Sequence, residues 1–205
     1  MFYNERMNRG GGGTAIFILN ILKFHLIDNL IDDIEHTQVE VLCGNSTPIR
    51  IVSLYLPPNL PLKESSLEQL FSGPNTFLLG DFNAKNPLWG SPHLDTKGKV
   101  IERLINNSNF ICLNTGSGTR LNSSNGLLSH LDLTLCSANL GQLSSWCTLK
   151  DTWGSDHYPT QTTYSNNLII DSQPEPRWNI ARADWKEFSL ALALFRRSLT
   201  LLQIH

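Results

Sequence analysis

Short apolar runs rich in β-branched residues, each bounded by glycine, proline or asparagine, recur through the first 165 residues of the chain. Two of these runs, residues 39–43 and 49–56, flank a five-residue segment, and this spacing predicts an antiparallel hairpin. Runs of this length and composition are typical of strands rather than helices. The pattern therefore predicts a strand-rich fold with few helices.

The rest of this region extends the same pattern. Residues 130–135 alternate polar side chains with leucine, which predicts a strand with one polar face. Apolar residues recur at helical spacing within 97–107. Further strands are predicted at 14–19, 75–79, 110–113, 146–149 and 158–164, and a short helix at 62–71. Together these elements predict an α/β (α+β) fold, a layered β-sandwich flanked by helices.

The composition changes after Asn166, so we predict two regions, 1–165 and 166–205. The segment Gln-Pro-Glu-Pro at 173–176 is typical of a linker. Asp184 is placed to cap a helix whose apolar side chains include Trp185 and Phe188. We interpret this helix as the beginning of a neighbouring module or as a brace on the sandwich.

Bulk composition narrows the functional class. A 205-residue chain with 40% hydrophobic residues can bury a sizeable core. Its formal net charge of −2 lacks the basic excess of many nucleic-acid binders, so any surface that contacts DNA must be local. The four cysteines lack metal-type spacing, and neither a secretory signal nor a membrane-spanning run is present in the sequence. We therefore expect an intracellular, reducing location.

Carboxylate, amide and imidazole side chains lie within or next to three of the predicted strands. They are Asp81 and Asn83 after 75–79, Asp132 within 130–135, and Asp156 and His157 before 158–164. Crowded carboxylates favour a divalent cation, and oxygen ligands favour Mg²⁺. Carboxylate, metal and imidazole together can orient a water, accept its proton and stabilise a phosphorane. The constellation indicates phosphodiester hydrolysis.

Four motifs in order carry a family resemblance: Leu-Tyr-Leu-Pro-Pro around Tyr55, Gly-Asp-Phe-Asn-Ala at 80–84, Ser-His-Leu-Asp-Leu at 129–133 and Ser-Asp-His-Tyr-Pro at 155–159. The chain resembles the endonuclease/exonuclease/phosphatase superfamily, in particular the apurinic/apyrimidinic-type endonuclease domains of jockey-like non-LTR retrotransposons. The segment 86–91, Asn114-Thr115 and Ala183-Asp184-Trp185 add to that narrower resemblance, which covers about residues 10–164.

The resemblance implies a DNase I-like fold and a role for each motif. Asp81 would orient or deprotonate the attacking water, while Asn83 and Tyr55 would contact the scissile phosphate. His157 would stabilise the phosphorane, and Asp132 would hold its imidazole in one tautomer. In addition, Asp156 would ligate the metal, Mg²⁺ or alternatively Mn²⁺.

The resemblance also implies DNA as substrate, a nuclear location, no membrane partner and a reverse transcriptase module that the chain itself does not contain. Family members begin with a strand ending in Asn and a second strand bearing a metal-ligating Glu. Residues 1–9 supply neither, so we expect an N-terminally truncated domain that lacks its first strands and has weak or no nuclease activity.

Two other functions remain open at this point. The chain could be a superfamily phosphatase acting on phospholipid or inositol phosphates, or a noncatalytic remnant that binds nucleic acid or partners. Individual residues also have structural interpretations: Asp81 could cap a turn and Tyr55 could belong to the core. His93 and Asp95 could form a metal pair, although ordinary loop side chains are the simpler interpretation.

Overall fold

A computed structural model describes residues 13–28, 31–42 and 47–165, together with the backbone of 2–4. The strands are β1 Phe2–Asn4, β2 Thr14–Ile16, β3 Lys23–Leu26, β4 Glu35–Leu42, β5 Ile49–Tyr55, β6 Thr76–Asp81, β7 Phe110–Cys112, β8 Arg120–Leu121, β9 Leu128–Ser129, β10 Asp132–Ser137, β11 Ser144–Thr148 and β12 Thr160–Tyr164. The helices are α1 Glu64–Leu70, α2 Thr96–Asn107 and α3 Ala138–Gly141, with a 3-10 turn at Pro87–Trp89.

A six-stranded mixed sheet in the order β3-β4-β5-β6-β10-β7 forms the centre of the fold. The β4–β5 pair is the predicted antiparallel hairpin. The β5–β6 pair is parallel, and α1 lies in the crossover between these two strands. Because β10 runs antiparallel to β6, the end of β6 and the start of β10 lie at the same edge of the sheet. This topology brings distant motifs together at that edge.

One face of the sheet carries the main hydrophobic core. Leu54, Leu78 and Leu135 from three strands pack with Leu67 of α1 and Ile101 of α2, and each side chain is at most 1% exposed. The apolar positions of α2 recur every three or four residues, so one stripe of the helix faces the sheet. Helix-on-sheet packing fixes the strand ends because the buried side chains leave few alternative positions.

The opposite face carries a smaller cluster. Phe77 and Cys136 of the central strands pack with Leu140 and with Tyr164 of β12. The Phe77 and Tyr164 rings meet nearly edge-on, with centroids 6.1 Å apart. The paired strands β11 and β12 therefore form a second β layer against this face, as expected for a sandwich.

The sequence predictions for individual elements agree with the structure within a few residues. The strand predicted at 14–19 is shorter, since β2 ends at Ile16 and Phe17 is exposed. The strand predicted at 130–135 begins at Asp132, so His130 precedes it. Cys112, Cys136 and Cys147 are free thiols, of which Cys136 is buried and Cys147 is exposed.

The chain divides into two units, Met1–Asn167 and Leu168–His205. The predicted linker and the helix starting at Asp184 lie outside the described residues. Among the helices of the described ranges, none is long and apolar enough to cross a membrane.

Candidate active site

A row of polar residues crosses four neighbouring strands at one edge of the sheet. Glu35 of β4 pairs with Tyr55 of β5, Tyr55 pairs with Asp81 of β6, and Asp81 pairs with Asp132 of β10. Residues directly opposite each other in a sheet project to the same face. The register therefore places three predicted site residues, Tyr55, Asp81 and Asp132, side by side, with Glu35 next to them.

Asp81 and Asn83 are held together by a tight turn. Asp81 is the last residue of β6, and Asn83 has a φ of 44°, which lies in the left-handed region that asparagine tolerates better than most residues. The backbone N–H of Asn83 donates to Asp81 Oδ1 at 2.9 Å, and its Nδ2 donates to Oδ2 at 2.8 Å. The turn, rather than the two-residue period of a strand, brings these side chains together.

The Asp81 carboxyl group has a perturbed pKa. Burial raises its pKa, the neighbouring Asp132 carboxylate raises it further, and the hydrogen bonds from Asn83 and the charge of His157 oppose the shift. A carboxylate that holds its proton more tightly is a better general base near neutral pH. Asp81 thus has the environment of a proton acceptor.

His157 and Asp132 form a hydrogen-bonded pair. The Nδ1 atom of His157 lies 2.8 Å from Oδ2 of Asp132, and the two side chains are 30% and 20% exposed. The hydrogen bond to Asp132 raises the pKa of His157 against the effect of burial, and the charges of Asp132 and Asp81 add to the increase. Since Nδ1 is bound to Asp132, Nε2 is the ring atom that can contact a ligand.

Two buried or half-buried residues outside the predicted set hold this pair in place. The Oγ1 atom of fully buried Thr119 accepts hydrogen bonds from the N–H groups of Leu131 and Asp132, both at 3.0 Å, and its carbonyl accepts from Tyr158 N at 2.7 Å. Asn114 Nδ2 donates to the carbonyl of Asp132 at 2.9 Å. Thr119 therefore connects the start of β10 to the turn that carries His157.

Asp156 faces a different partner. Its carboxylate is about half exposed, and Oδ2 accepts a hydrogen bond from Arg120 Nε at 2.9 Å. That hydrogen bond lowers the pKa of Asp156. The predicted metal-ligating role of Asp156 is not tested by this geometry and stays a prediction.

The side chains at this site offer few free oxygen atoms to a divalent cation. Mg²⁺ takes six oxygen ligands in octahedral geometry, one or two of them carboxylates. Within the described ranges no group of three His, Cys, Asp or Glu side chains is arranged to hold a metal ion, and both Asp81 oxygens already accept hydrogen bonds. The described residues therefore do not form a complete magnesium site on their own.

Sequence reasoning missed several residues near the site. Glu35 begins a strand, and its register with Tyr55 was not evident from periodicity alone. Asp95, considered with His93 as a metal pair, instead caps α2 by accepting the Gly98 N–H at 2.7 Å. An aspartate directly before an amphipathic segment is a recognisable helix-start signal. Thr119 directly precedes the short strand β8 and Arg120 begins it, within a segment rich in Gly, Ser, Asn and Thr where no sequence pattern distinguishes them.

The family assignment follows from a match over the same elements that build this site. Residues 49–161, from β5 into β12, match the endonuclease-reverse transcriptase family. The chain belongs to this family. Its described unit is an endonuclease domain of the endonuclease/exonuclease/phosphatase superfamily, of the kind found in non-LTR retrotransposons.

Two curated relatives agree with this assignment. The chain is 29% identical over 157 residues, 74% of its length, to the RNA-directed DNA polymerase from mobile element jockey of Drosophila melanogaster. It is 33% identical over 74 residues, 35% of its length, to the protein of the same name from Drosophila funebris. The matched segments are only 17% and 8% of those relatives.

A solved structure supports the fold. The endonuclease domain of TRAS1, a telomere-specific non-LTR retrotransposon, superposes with a TM-score of 0.60 at 22% identity, covering 69% of this chain and 65% of that domain. The similarity confirms the predicted α/β fold of DNase I-like type.

Proposed function

We propose that this domain hydrolyses one phosphodiester bond in a strand of DNA and leaves a 3′-hydroxyl that serves as a primer for reverse transcription. The pairing of His157 with Asp132, directly beside Asp81 and Asn83, is the observation that carries the proposal. Four side chains of complementary chemistry meet at one sheet edge, although they come from three separate motifs. A general base, an orienting amide and a cationic acid are what in-line attack by water requires.

The proposed reaction follows from these groups. Asp81 accepts a proton from the attacking water, whose oxygen forms the new bond to phosphorus. The bond from phosphorus to the 3′ oxygen breaks, and that oxygen takes up a proton from solvent water to give the 3′-hydroxyl and a 5′-phosphate. The Nε2–H of protonated His157 stabilises the charge that builds on the phosphoryl oxygens, while Asn83 and Tyr55 contact the scissile phosphate.

A divalent cation is part of the proposal as a prediction from the family resemblance. Mg²⁺, or Mn²⁺ in its place, would neutralise charge on the phosphate and on the leaving oxygen. Also from the family resemblance, we expect weak turnover from this chain. A reverse transcriptase supplied by a longer polyprotein, as in the jockey relatives, is the proposed partner, and the nucleus is the proposed location.

A plasmid-nicking assay tests the proposal. The full chain is incubated with supercoiled plasmid and Mg²⁺, and conversion to the open-circular form is followed over time. We expect slow nicking that falls by about 10²-fold or more in Asp81→Asn and in His157→Gln. The exposed residues Asp32 and His93 provide the matched controls Asp32→Asn and His93→Gln, which should retain the wild-type rate.

Two outcomes would overturn the proposal. Equal nicking by the wild type and the Asp81→Asn variant would assign the activity to another site or to a contaminating nuclease. Binding of DNA without any nicking across a range of Mg²⁺ and Mn²⁺ concentrations would instead make the domain a noncatalytic nucleic-acid binder.

A further inference from the structure

A groove of about 380 Å³ is bordered by Asn83. One wall is the segment after β5, with Pro58, Leu60 and Pro61, and the other is the first turn of α2, with Lys97. The volume falls within the range of sites that hold a small molecule or a nucleotide-sized group. None of the proposed catalytic roles uses this space, except that Asn83 borders it.

Lys97 is held in a fixed position across the groove. Its Nζ donates a hydrogen bond to the carbonyl of Pro57 in the opposite wall, which leaves two N–H groups of the ammonium for another acceptor. Burial lowers the pKa of Lys97, and the carboxylates of Asp95 and Asp81 raise it, so the charge of Asp81 is felt at this amine. Among the described residues that line the groove, Lys97 is the only cation.

The walls of the groove are rigid, and they are anchored to the catalytic loop. Asp95 N donates to the carbonyl of Lys85 at 3.0 Å, and Asn86 Nδ2 donates to the carbonyl of Gly98 at 3.3 Å. A Cβ atom on Gly98 would lie 2.0 Å from that Lys85 oxygen, so only glycine lets the helix approach the loop this closely. The start of α2 and the Asn83 loop therefore keep one relative position.

Among the described residues that line the groove, Asp95 carries the only carboxylate. Asp95 Oδ1 accepts the Gly98 N–H at 2.7 Å and caps α2, so this oxygen is already bound to the helix N-terminus. The opposite wall is apolar, and Leu60 is 43% exposed to solvent. The groove thus has an ammonium group on one side and a proline-rich apolar surface on the other. These two surfaces suit a nucleotide, because its phosphate is anionic and its sugar and base have apolar faces.

Resting on the proposed function, we infer that this groove binds the nucleotide next to the cleaved linkage. Lys97 contacts the phosphate adjacent to the scissile one, and Leu60 contacts the sugar or base of the same nucleotide. The groove sets the position of the strand so that the scissile phosphate lies against Asn83 and Asp81.

Equilibrium binding separates a phosphate contact from a structural role of Lys97. The probe is a fluorescent mixed-sequence 20-base-pair duplex, titrated with the full chain in EDTA at several salt concentrations. Lys97→Gln keeps a side-chain donor for Pro57 but removes the charge. We expect about tenfold weaker binding at low salt. The slope of the logarithm of the binding constant against the logarithm of the salt concentration should decrease in magnitude by about one. Lys97→Arg should retain most of the affinity.

The same helix offers a matched control. Lys99 lies two residues further along α2, where its side chain is exposed and does not line the groove. Lys99→Gln should bind within about twofold of the wild type. Leu60→Ser should weaken binding about threefold and leave the salt dependence unchanged, because an apolar contact releases no counterions. Thermal melts should show the same folded state in every variant.

Nicking kinetics complete the test. Lys97→Gln should raise KM about tenfold with a smaller change in kcat, since the contact is made equally in the bound and transition states. If Lys97→Gln matches Lys99→Gln in affinity, salt dependence and KM, the inference is wrong while the proposed function stands. If the wild type neither binds nor nicks DNA, the proposed function fails, and the inference fails with it.

Discussion

The Nδ1 atom of His157 lies 2.8 Å from the Oδ2 atom of Asp132, although the two residues are 25 positions apart in sequence. Asp132 is the first residue of a strand whose partner β6 ends at Asp81, so the same carboxylate faces an imidazole on one side and an acid on the other. It raises the pKa of both neighbours. Asp132 thus links the proton acceptor to the imidazole.

Replacing Asp132 by Asn should uncouple these two groups. The amide is nearly isosteric but carries no charge, so His157 loses the partner that fixes its tautomer and favours its protonated form. We expect the nicking rate to fall by about 10²-fold or more while the folded structure persists. Single-turnover nicking and circular dichroism provide the two measurements. A rate within threefold of the wild type would exclude the proposed role of the pair.

Gly80 is a position where the backbone of the site tolerates no side chain. Its φ is +145°, and a Cβ atom there would lie 1.8 Å from the carbonyl oxygen of Leu54 on the parallel strand β5. Gly80→Ala must therefore separate β5 from β6 next to Asp81. We expect a loss of about 3 kcal/mol or more in the free energy of unfolding, measured by urea denaturation.

Gly126 is the matched control for that substitution. It also has a positive φ, of +70°, but a Cβ atom there would meet nothing within 4 Å. Gly126→Ala should lower the free energy of unfolding by only about 1 kcal/mol, because a side chain there disfavours the left-handed backbone but meets no other atom. Equal losses of unfolding free energy in the two variants would show that the positive φ, rather than the contact with Leu54, determines the cost of a side chain at position 80.

The sequence predicted the elements of this fold well because their signals are local. The hairpin β4–β5, the helix α2 and the strand carrying Asp81 each follow from periodicity and from flanking turn residues. The pairing of β10 with β6 is not local, and only the family resemblance suggested that Asp132 and His157 meet. Register between distant strands depends on side-chain packing, which periodicity does not encode.

Residues that act through backbone contacts were the hardest to predict. Thr119 binds two N–H groups of β10 through one hydroxyl, and nothing in its Gly-Ser-Gly-Thr context separates it from an ordinary loop threonine. In the sequence, Lys97 is likewise one of several scattered basic residues, and no motif sets it apart. Their significance depends on which surfaces they bridge, and this follows only from the tertiary structure.

The Arg120–Asp156 pair offers a test of the predicted metal requirement. Arg120→Gln releases the Asp156 carboxylate from its partner, and so we expect the Mg²⁺ concentration for half-maximal nicking to fall. Asp156→Asn should raise that concentration, and EDTA should abolish nicking. Both partners are about half exposed, so thermal stability should change little. An identical Mg²⁺ dependence in all three proteins would remove Asp156 from the predicted ligand set.

His36 should make the stability of the domain sensitive to mild acid. Its side chain is fully buried, Nδ1 donates to the carbonyl of Ile34 at 2.8 Å, and burial lowers its pKa. Well above pH 6.5 the imidazole is neutral in both the folded and the unfolded state, so its contribution to stability does not change with pH. As the pH falls below that value, the unfolded chain takes up a proton that the folded state resists, and the free energy of unfolding decreases. The loss attributable to His36 should be at most about 1.4 kcal/mol at pH 5.5, measured by urea denaturation at pH 7.5 and 5.5 and compared with His36→Gln. The exposed His93→Gln serves as control and should keep the wild-type pH dependence; the same dependence in His36→Gln would show that other groups cause it.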